Sequence, residues 1–452
     1  MARKSHTLFT CQQCGAMYKN WTGRCNKCGA WSSLIQQFDE DSRDEKSAIG
    51  RGQMSGKSLE FVSIKDLEVS DEKSRISTGF KDLDVVLGGG ILLGSVAVLA
   101  GQPGIGKSTL LMQICAEIAQ NHAVLYVSGE ESAGQIKLRA MRLGANSDRL
   151  KFASSTSAND IAKTIESGEF DLVIVDSIQT LTLAEIASAP GGVSQVTNCG
   201  NLIIRAAKIS NTAVIIVGHV TKEGTLAGPK VLEHLVDIVL NFEGDRYGGF
   251  KIIRAIKNRF GSTTEAAIFE MNQHGLAEVE NPSAALLAER QNTDGSIILA
   301  TLEGTRPILV EIQALVTPTN FGYPKRTCSG FDLNRLNLLL AVIERRTKLK
   351  LNDKDVFVNV VGGLRVQDSA ADLAVCLAIA SAVAGRKLAE DFVVFGEVGL
   401  GGEVRSAYRP DQRIAEAKKL GFAHAIAPAT VRDEFVIPVR DLRHTLIEYV
   451  NE

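Results

Sequence analysis

Short apolar runs alternate with segments of helical periodicity through the middle of the chain. Such runs suit buried strands, whereas apolar residues spaced three and four apart indicate helices that bury one face. From residue 76 to about residue 280 this alternation predicts a mostly parallel sheet covered by helices on both faces. The predicted strands are 96–100, 123–128, 172–176, 213–218, 236–242 and 251–256, and the predicted helices are 108–120, 132–143, 158–166 and 199–210.

The pattern changes on both sides of this α/β segment. Beyond residue 283 it predicts an α+β domain, with strands at 297–302, 308–316, 356–360 and 393–397 and helices at 334–345, 368–384 and 410–420. Residues 36–74 are polar and of mixed charge, which predicts a flexible linker. The predicted domains are a finger at 1–35, the α/β domain at 75–280 and the α+β domain at 283–452.

A glycine-rich loop lies between the first predicted strand and helix of the α/β segment. Residues 101–108 read Gly-Gln-Pro-Gly-Ile-Gly-Lys-Ser, which is a complete phosphate-loop pattern in the required strand–loop–helix context. The glycines allow backbone N–H groups to turn towards phosphate oxygens at a helix N-terminus. Lys107 is predicted to reach the β- and γ-phosphates and Ser108 to ligate Mg²⁺. The predicted ATP-binding residues are Gly101, Gly104, Gly106, Lys107, Ser108, Thr109 and Asp176.

Polar residues end three further predicted strands. Asp176 is predicted to hold Mg²⁺ with Ser108, because a carboxylate after the strand beside a phosphate loop commonly does so. Glu130 is the first candidate to activate water and Glu131 the second, although the pair also suits an acidic helix N-terminus capped by Ser128. For His219 the sequence leaves a γ-phosphate sensor and a structural histidine open.

Four of the eight cysteines form two C-x-x-C pairs near the start of the chain: Cys11, Cys14, Cys25 and Cys28. This spacing predicts a four-thiolate zinc site that supplies folding energy to a segment with little core. Trp21 and Trp31, the only tryptophans, flank the second pair. They either pack on the zinc site or stack on bases, and packing is the favoured interpretation.

The net charge of −2 excludes a uniformly basic nucleic-acid-binding protein, so any such contact needs local patches. Residues 1–38 form one candidate, with five basic residues and no acidic one. We find no apolar stretch long enough to span a membrane and no secretory signal pattern, and we therefore expect a cytoplasmic protein with reduced cysteines.

Two further motifs carry a family resemblance. Residues 76–84 (Ile-Ser-Thr-Gly-Phe-Lys-Asp-Leu-Asp) together with the phosphate loop resemble the RecA-type ATPase core. Residues 257–261 (Lys-Asn-Arg-Phe-Gly) are similar to the signature of the bacterial DNA-repair RadA (Sms) family. The order of finger, ATPase core and C-terminal domain fits the same family along nearly the whole chain.

This resemblance implies a function and a set of partners. Members of the family form hexameric rings that bind ATP between subunits, move on single-stranded DNA and promote branch migration beside the RecA recombinase. It therefore implies a nucleoid-associated, DNA-dependent ATPase of homologous recombination that binds single-stranded and branched DNA. Lys257 and Arg259 match the catalytic basic pair that reaches a neighbour's nucleotide, where a cation stabilises transition-state charge. Without the resemblance, a solvated basic turn would be the simpler interpretation.

Two polar, glycine-containing loops after core strands are candidates for DNA contact, namely Leu181–Asn201 and Thr221–Lys230. Such loops suit backbone contacts with phosphates rather than base readout. The same composition is also typical of an ordinary surface loop.

The C-terminal domain resembles the proteolytic domain of Lon, which uses a serine–lysine dyad. Aligned by motif, the serine position is Ala370 and the lysine position falls near Asp411, so no peptidase activity is expected. We expect a ring scaffold with a possible DNA surface at Arg345, Arg346, Lys348 and Lys350, although a solvated helix end explains that cluster equally well. Three functions thus compete: a DNA motor, an ATP-gated recruiting platform and an ATP-dependent protease.

Overall fold

The computed structural model describes residues 7–11, 16–18, 20–31, 34–38, 63, 75–219, 231–244, 249–319 and 322–450. The chain divides into two compact units, Met1–Val69 and Ser70–Glu452. Apart from a few residues, the predicted linker lies outside the described part of the chain. None of the helices in the described part is both long and apolar enough to cross a membrane.

The first unit contains a small antiparallel sheet. Its strands, in the order β2-β1-β3, are β1 Thr7–Cys11, β2 Met17–Tyr18 and β3 Leu34–Phe38. Cys11, Cys25 and Leu34 form its buried cluster, which is too small to stabilise an independent fold without a further cross-link. A metal ion bound at the predicted site would supply the folding stability that this small core lacks.

The second unit begins with the α/β segment, built on a nine-stranded sheet in the order β14-β13-β12-β11-β6-β10-β9-β7-β8. The strands from β11 to β8 run parallel, and β12, β13 and β14 add an antiparallel edge. Its elements are β4 Arg75–Ile76, α1 Lys81–Leu87, β5 Ile91–Leu92, β6 Val96–Gly101, α2 Lys107–Ile118, β7 Val124–Ser128, α3 Ala133–Arg142, β8 Leu150–Ser154, α4 Ala158–Glu166, β9 Leu172–Asp176, α5 Val193–Ser210, β10 Ala213–His219, α6 Val231–Leu235, β11 Ile238–Gly244, β12 Lys251–Asn258, β13 Ala266–Asn272 and β14 Gly275–Glu278.

Strand β6 shows why these strands are apolar throughout. Its residues are all buried, and alternate side chains enter different clusters, Ala97 and Leu99 on one face and Val96 and Val98 on the other. Because successive side chains of a strand point to opposite faces, a sheet covered by helices on both sides requires apolar residues at every position. The predicted mostly parallel sheet with two helical layers is confirmed.

The C-terminal region forms a seven-stranded mixed sheet in the order β17-β18-β16-β15-β19-β22-β23, with α9 as its most buried helix. This is the predicted α+β fold. The elements are α7 Pro282–Leu287, β15 Ser296–Glu303, β16 Arg306–Pro318, β17 Arg326–Ser329, α8 Leu333–Arg346, β18 Lys354–Val360, α9 Ala371–Ala384, β19 Phe392–Val394, β20 Glu397–Val398, β21 Val404–Arg405, α10 Pro410–Lys419, β22 His424–Pro428, β23 Val436–Val439 and α11 Leu442–Val450.

The predicted boundary near residue 280 falls between two sheets that share one hydrophobic cluster. Ile252 and Ile268 of the ATPase sheet belong to the same cluster as Leu299 and Leu309 of the C-terminal sheet. Arg306 adds a polar link, because its guanidinium bonds the Asp82 carboxylate and donates to the Val279 and Glu280 carbonyls. The two regions therefore pack as parts of one compact unit.

Candidate nucleotide site and metal centre

The carboxyl ends of the parallel strands bring the predicted nucleotide-binding residues to one edge of the sheet. In register, Gly101 lies beside His219, and Ser128 lies beside Asp176. The open edge beyond the carboxyl ends of parallel strands is where α/β folds bind their ligands. The structure thus brings together residues that are up to 118 positions apart in the sequence.

The phosphate loop has the backbone that its glycines allow. Gly104 has φ +80° and Gly106 has φ +119°, which are conformations that other residues rarely adopt, and α2 begins at the next residue. Lys107 Nζ is buried and donates to the carbonyls of Gly101 at 2.8 Å and Gln102 at 3.1 Å. Burial lowers the pKa of Lys107 to about 8, against the opposing charges of Asp176 and Glu130. Thr109 follows in the first turn of α2.

Ser108 and Asp176 form the predicted magnesium pair. Ser108 Oγ donates to Asp176 Oδ2 at 2.8 Å, and Tyr126 Oη donates to the same oxygen at 2.6 Å. Burial raises the pKa of Tyr126, and the charge of Asp176 adds to this effect. A hydroxyl beside a carboxylate is an oxygen donor set of the kind that Mg²⁺ prefers, so these residues fit the ion.

The two adjacent glutamates have different partners. Glu131 forms a two-pronged ion pair with Arg139 at 2.6 and 2.7 Å. The Glu130 carboxylate instead accepts a hydrogen bond from Ser177 Oγ and lies 3.5 Å from His219 Nε2. The geometry therefore favours Glu130 as the group that faces the nucleotide edge and assigns Glu131 a structural pairing.

The structure also shows which residue caps the N-terminus of helix α3. Helix α3 begins after Ser132, which forms a capping box with Gln135. Ser128 Oγ accepts from the backbone N–H groups of Glu130 and Glu131 at 3.3 and 3.0 Å, and so orders the turn between β7 and α3. Ser128 is therefore not the cap of helix α3, and the alternative that Glu130 and Glu131 form a helix N-terminus capped by Ser128 does not hold, because both glutamates precede the helix.

His219 lies between the two charged groups of the site. Its Nδ1 is 3.3 Å from Lys107 Nζ and its Nε2 is 3.5 Å from the Glu130 carboxylate. A side chain this close to both the phosphate-binding lysine and the candidate base favours the sensor over the structural histidine, the two interpretations that the sequence left open. Sequence analysis missed Tyr126 and Ser177, because nothing in the local pattern of a buried strand or turn indicates their contacts with Asp176 and Glu130.

Lys257 and Arg259 lie towards the amino ends of the parallel strands, away from the carboxyl ends that carry the phosphate loop. Lys257 on β12 pairs with Val239 on β11. Val239 in turn lies beside Val98 of β6, which is three positions before Gly101. Lys257 Nζ donates to the carbonyls at the end of α6, at 2.7 Å to Glu233. Burial is the main cause that lowers the pKa of Lys257, and the nearby Arg259 charge adds to it. The pair is therefore remote from the phosphate loop of its own chain.

The first predicted DNA loop is shorter than expected. Helix α5 begins at Val193 rather than near residue 199, so only 181–192 is a connecting segment. Gln195 is buried and pins this segment: its Oε1 accepts from Leu183 N at 2.9 Å, and its Nε2 lies 3.0 Å from the Ile186 carbonyl oxygen. The second predicted loop, Thr221–Lys230, lies outside the described residues.

Three of the four predicted zinc ligands converge in the first unit. The Sγ atoms of Cys11, Cys25 and Cys28 lie within 4.8 Å of one another, with 3.6 Å between Cys11 and Cys28. Cys14 lies outside the described residues. Tyr18 Oη is 3.2 Å from Cys25 Sγ, and this hydrogen bond is the main cause that lowers the pKa of Cys25 to about 5. Three thiols this close together, one of which has a lowered pKa, fit a tetrahedral zinc site.

The two tryptophans do not pack on this cluster. Trp21 is 60% exposed and Trp31 is 74% exposed, while the cluster is covered by Phe9, Ala16 and Tyr18. The favoured interpretation of packing on the zinc site is therefore wrong. Tyr18, which the sequence analysis did not single out, provides the aromatic cover instead.

The C-terminal region places Ala370 at the buried N-terminus of α9, and Asp411 in the first turn of α10. Beside Ala370, the Asp368 carboxylate forms an ion pair of 2.7 Å with the fully buried Arg413. Ser369 Oγ donates to the Glu397 carboxylate at 3.2 Å. The position where the resemblance would place the nucleophile thus holds the methyl group of Ala370, and the charged side chains beside it are engaged in an ion pair and a hydrogen bond.

A cleft of about 1070 Å³ lies between the ATPase sheet and the C-terminal sheet. Gln102 and Ile105 of the phosphate loop line one wall, and Arg335, Asp372 and Ser369 line the other. Burial is the main cause that raises the pKa of Asp372, although the hydrogen bond from Arg335 opposes it. The flank of the phosphate loop therefore faces the C-terminal domain within the same chain.

Family models match three segments of the chain. An AAA domain matches residues 63–225, a rubredoxin metal-binding domain matches residues 9–36, and subunit ChlI of Mg-chelatase matches residues 338–431. The N-terminal match agrees with the cysteine cluster and makes this unit a zinc-ribbon-type domain. A crystal structure of the RadB recombinase aligns with a TM-score of 0.37 and 23% identity, over 45% of this chain and 99% of that one.

Curated relatives match along nearly the whole length. DNA repair protein RadA of Halalkalibacterium halodurans is 46% identical over 97% of this chain and 95% of that protein. The protein of the same name from Aquifex aeolicus is 43% identical over 98% and 99%, and that from Pseudomonas aeruginosa is 45% identical over 94% and 93%. Full-length similarity at this level confirms the resemblance seen in the sequence motifs, and the chain belongs to the RadA family of DNA repair proteins.

Proposed function

We propose that this chain is a DNA-dependent ATPase that acts in DNA repair and homologous recombination. The observation that carries the proposal is the single sheet edge where Lys107, Ser108, Asp176, Glu130 and His219 meet. A lysine for phosphates, an oxygen pair for a metal ion and a carboxylate for water are the parts that phosphoryl transfer requires. In the proposed function, Glu130 positions the attacking water, and Lys107 stabilises the phosphates. Mg²⁺, held by Ser108 and Asp176, would neutralise charge on the β- and γ-phosphates.

The basic pair supports an oligomer. Lys257 and Arg259 are remote from the phosphate loop of their own chain, and Arg259 is 54% exposed with its guanidinium 3.3 Å from Asp237. In the proposed assembly, a closed hexameric ring, this pair approaches the nucleotide of the neighbouring copy. A cation supplied by a neighbour stabilises the transition state and couples hydrolysis to the geometry of the ring.

The proposed substrate track is single-stranded DNA, and the proposed task is branch migration of recombination intermediates together with the RecA recombinase. The family name of the relatives and the connecting segment 181–192 on the nucleotide side of the sheet support this assignment. Peptidase activity is not proposed, because Ala370 lacks a nucleophile and Asp411 lacks a basic amine.

The proposal is tested by steady-state ATP hydrolysis with and without single-stranded DNA at two salt concentrations. We expect stimulation by DNA that falls as salt rises, since phosphate contacts release counterions. Lys107→Ala should abolish both the basal and the stimulated rate. Hydrolysis that is indifferent to DNA would contradict the motor and favour a platform that recruits other proteins, and casein degradation would contradict the inactive peptidase domain.

A further inference from the structure

Both tryptophans of the chain lie on one exposed surface of the zinc-ribbon unit, together with Arg24. We call this surface, Trp21, Gly23, Arg24 and Trp31, the tryptophan face. A Cβ atom built on Gly23 would lie 3.8 Å from Cη2 of Trp21 and 4.0 Å from Cζ3 of Trp31. The two rings therefore border the same glycine, with these two ring atoms at most 7.8 Å apart.

The local backbone holds this surface in place. Arg24 and Trp31 form an isolated antiparallel bridge, and Arg24 Nε donates to the Gly29 carbonyl at 2.9 Å. These contacts keep the Arg24 guanidinium 5.7 Å from the centre of the Trp31 ring. The metal-binding turn thus orders a cation and an aromatic ring that would otherwise rotate freely, and this lowers the entropy cost of binding a ligand there.

The exposure of these rings is not explained by the fold of the unit. Trp21 and Trp31 are 60% and 74% exposed, and the buried cluster of the unit uses Tyr18 and Phe9 instead. Large aromatic side chains left in water beside each other mark interaction surfaces more often than isolated exposed apolar residues do. The other described residues of the first unit therefore leave the tryptophan face open to a partner.

Charge indicates which partner fits. Residues 1–38 contain five basic side chains and no acidic one, an excess that outweighs the negative charge of a zinc ion bound by four thiolates. Lys27 of the second cysteine pair is exposed beside the tryptophan face in sequence. A basic surface with aromatic rings suits a polyanion that presents flat bases, because each base can stack on a ring while lysine and arginine meet the phosphates.

We propose that the tryptophan face is a stacking platform for the bases of single-stranded DNA, which would make the zinc ribbon a DNA-binding module separate from the ATPase core. This inference deepens the proposed function and rests on it, since it assumes that single-stranded DNA is the ligand. It predicts little sequence preference, because every base offers a flat face for stacking and the tryptophan face offers only one cation for base edges.

The test uses the intrinsic fluorescence of the full chain, which reports on this surface alone because no other tryptophan is present. Titration with oligothymidylate should quench the fluorescence to saturation. An abasic oligomer of the same length should bind, as seen by competition, without comparable quenching. Binding of oligothymidylate with unchanged fluorescence would overturn the inference.

A variant series provides the second readout. Trp21→Ala and Trp31→Ala should each weaken binding of a dye-labelled oligothymidylate by about five- to 150-fold, the range observed for loss of one stacked base. Tyr323→Ala is the matched control, because this aromatic side chain is 89% exposed outside the zinc-ribbon unit, and it should leave binding unchanged. A zinc content that stays at the wild-type level shows that each tryptophan variant retains the folded zinc ribbon.

Failure of this inference and failure of the proposed function give different results. If DNA stimulates ATP hydrolysis but both tryptophan variants bind DNA as tightly as the wild type, the platform is wrong and the motor stands. If DNA quenches the fluorescence but leaves hydrolysis unchanged, the platform stands and the DNA-dependent ATPase is wrong. Loss of recruitment of a protein partner in the variants, with DNA binding intact, would assign the tryptophan face to protein docking and overturn the inference.

Discussion

Single residues determine the chemistry that this sheet edge can support. Glu130 and Glu131 are neighbours in the sequence with the same side chain, yet one contacts Ser177 and His219 and the other is paired with Arg139. A carboxylate in a two-pronged pair with arginine is held by two charge-assisted hydrogen bonds and is therefore less free to contact a water molecule. The partners therefore support the proposed role of Glu130, whereas residue type alone does not distinguish the two glutamates.

This assignment predicts opposite results for two isosteric variants. Glu130→Gln should lower the rate of ATP hydrolysis by about 10²- to 10⁴-fold while nucleotide binding is kept, because the amide cannot accept a proton from water. Glu131→Gln is the matched control and should retain most of the activity, with a small loss of stability from the weakened Arg139 pair. Rates and nucleotide affinities measured side by side decide the point, and an inactive Glu131→Gln with an active Glu130→Gln would reverse our assignment.

At the scale of elements, the connection between β9 and α5 is held by a side chain from the helix. The amide of Gln195 contacts the backbone of Leu183, Ile186 and Ser188, so a segment without regular structure is tied to the start of α5. A single 3₁₀ turn, Ile178–Thr180, lies between the end of β9 and this segment, so the anchored segment begins close to the nucleotide edge of the sheet.

We expect Gln195→Ala to release this segment. The variant leaves a buried backbone N–H without its partner, which costs about 1–3 kcal/mol. Hydrogen exchange should become faster in residues 183–188 while β6 and β10 stay protected. If the segment contacts DNA, stimulation of hydrolysis by DNA should fall while basal hydrolysis is kept.

Asn198→Ala is the control for this experiment, because Asn198 is on the same helix and, among the described residues, donates only to the Ser194 carbonyl within that helix. It should change neither exchange nor stimulation. Unchanged exchange in Gln195→Ala would show that the contacts of this glutamine do not order the segment.

At the scale of the whole molecule, the proposed assembly would complete the nucleotide site of one chain with the basic pair of a neighbouring copy. The phosphate loop is at the carboxyl edge of the parallel strands, whereas Lys257 and Arg259 are at the other edge of the sheet. If each site uses residues from two copies, two variants that are inactive for different reasons should restore activity when they are mixed.

Mixing Lys107→Ala with Arg259→Ala should therefore restore part of the ATPase activity. The Arg259→Ala copy offers an intact phosphate loop, and its Lys107→Ala neighbour offers an intact arginine. Each variant alone should be inactive or nearly so, and each should still assemble as the wild type does. Mixtures that never exceed the sum of the separate samples would show that Arg259 does not act on a neighbour's nucleotide.

The sequence by itself determined those features that depend on neighbouring residues. The phosphate loop requires glycines, a lysine and a serine in one short segment, and two C-x-x-C pairs bring thiols close through local turns. The parallel sheet was also predictable, because strands buried on both faces must be apolar at every position. Helix α5 was predicted too short, since its first turn is polar and its anchor at Gln195 is satisfied only by the folded loop.

Only the tertiary structure decided the features that depend on residues far apart in the chain. It separated Glu130 from Glu131, placed the basic pair at the far edge of the sheet and left Trp21 and Trp31 exposed although the sequence favoured packing. The physical reason is that a side chain's charge state, burial and partners are set by the groups packed around it. A local pattern of residue types states which contacts a side chain can make, and only packing selects the contact that forms.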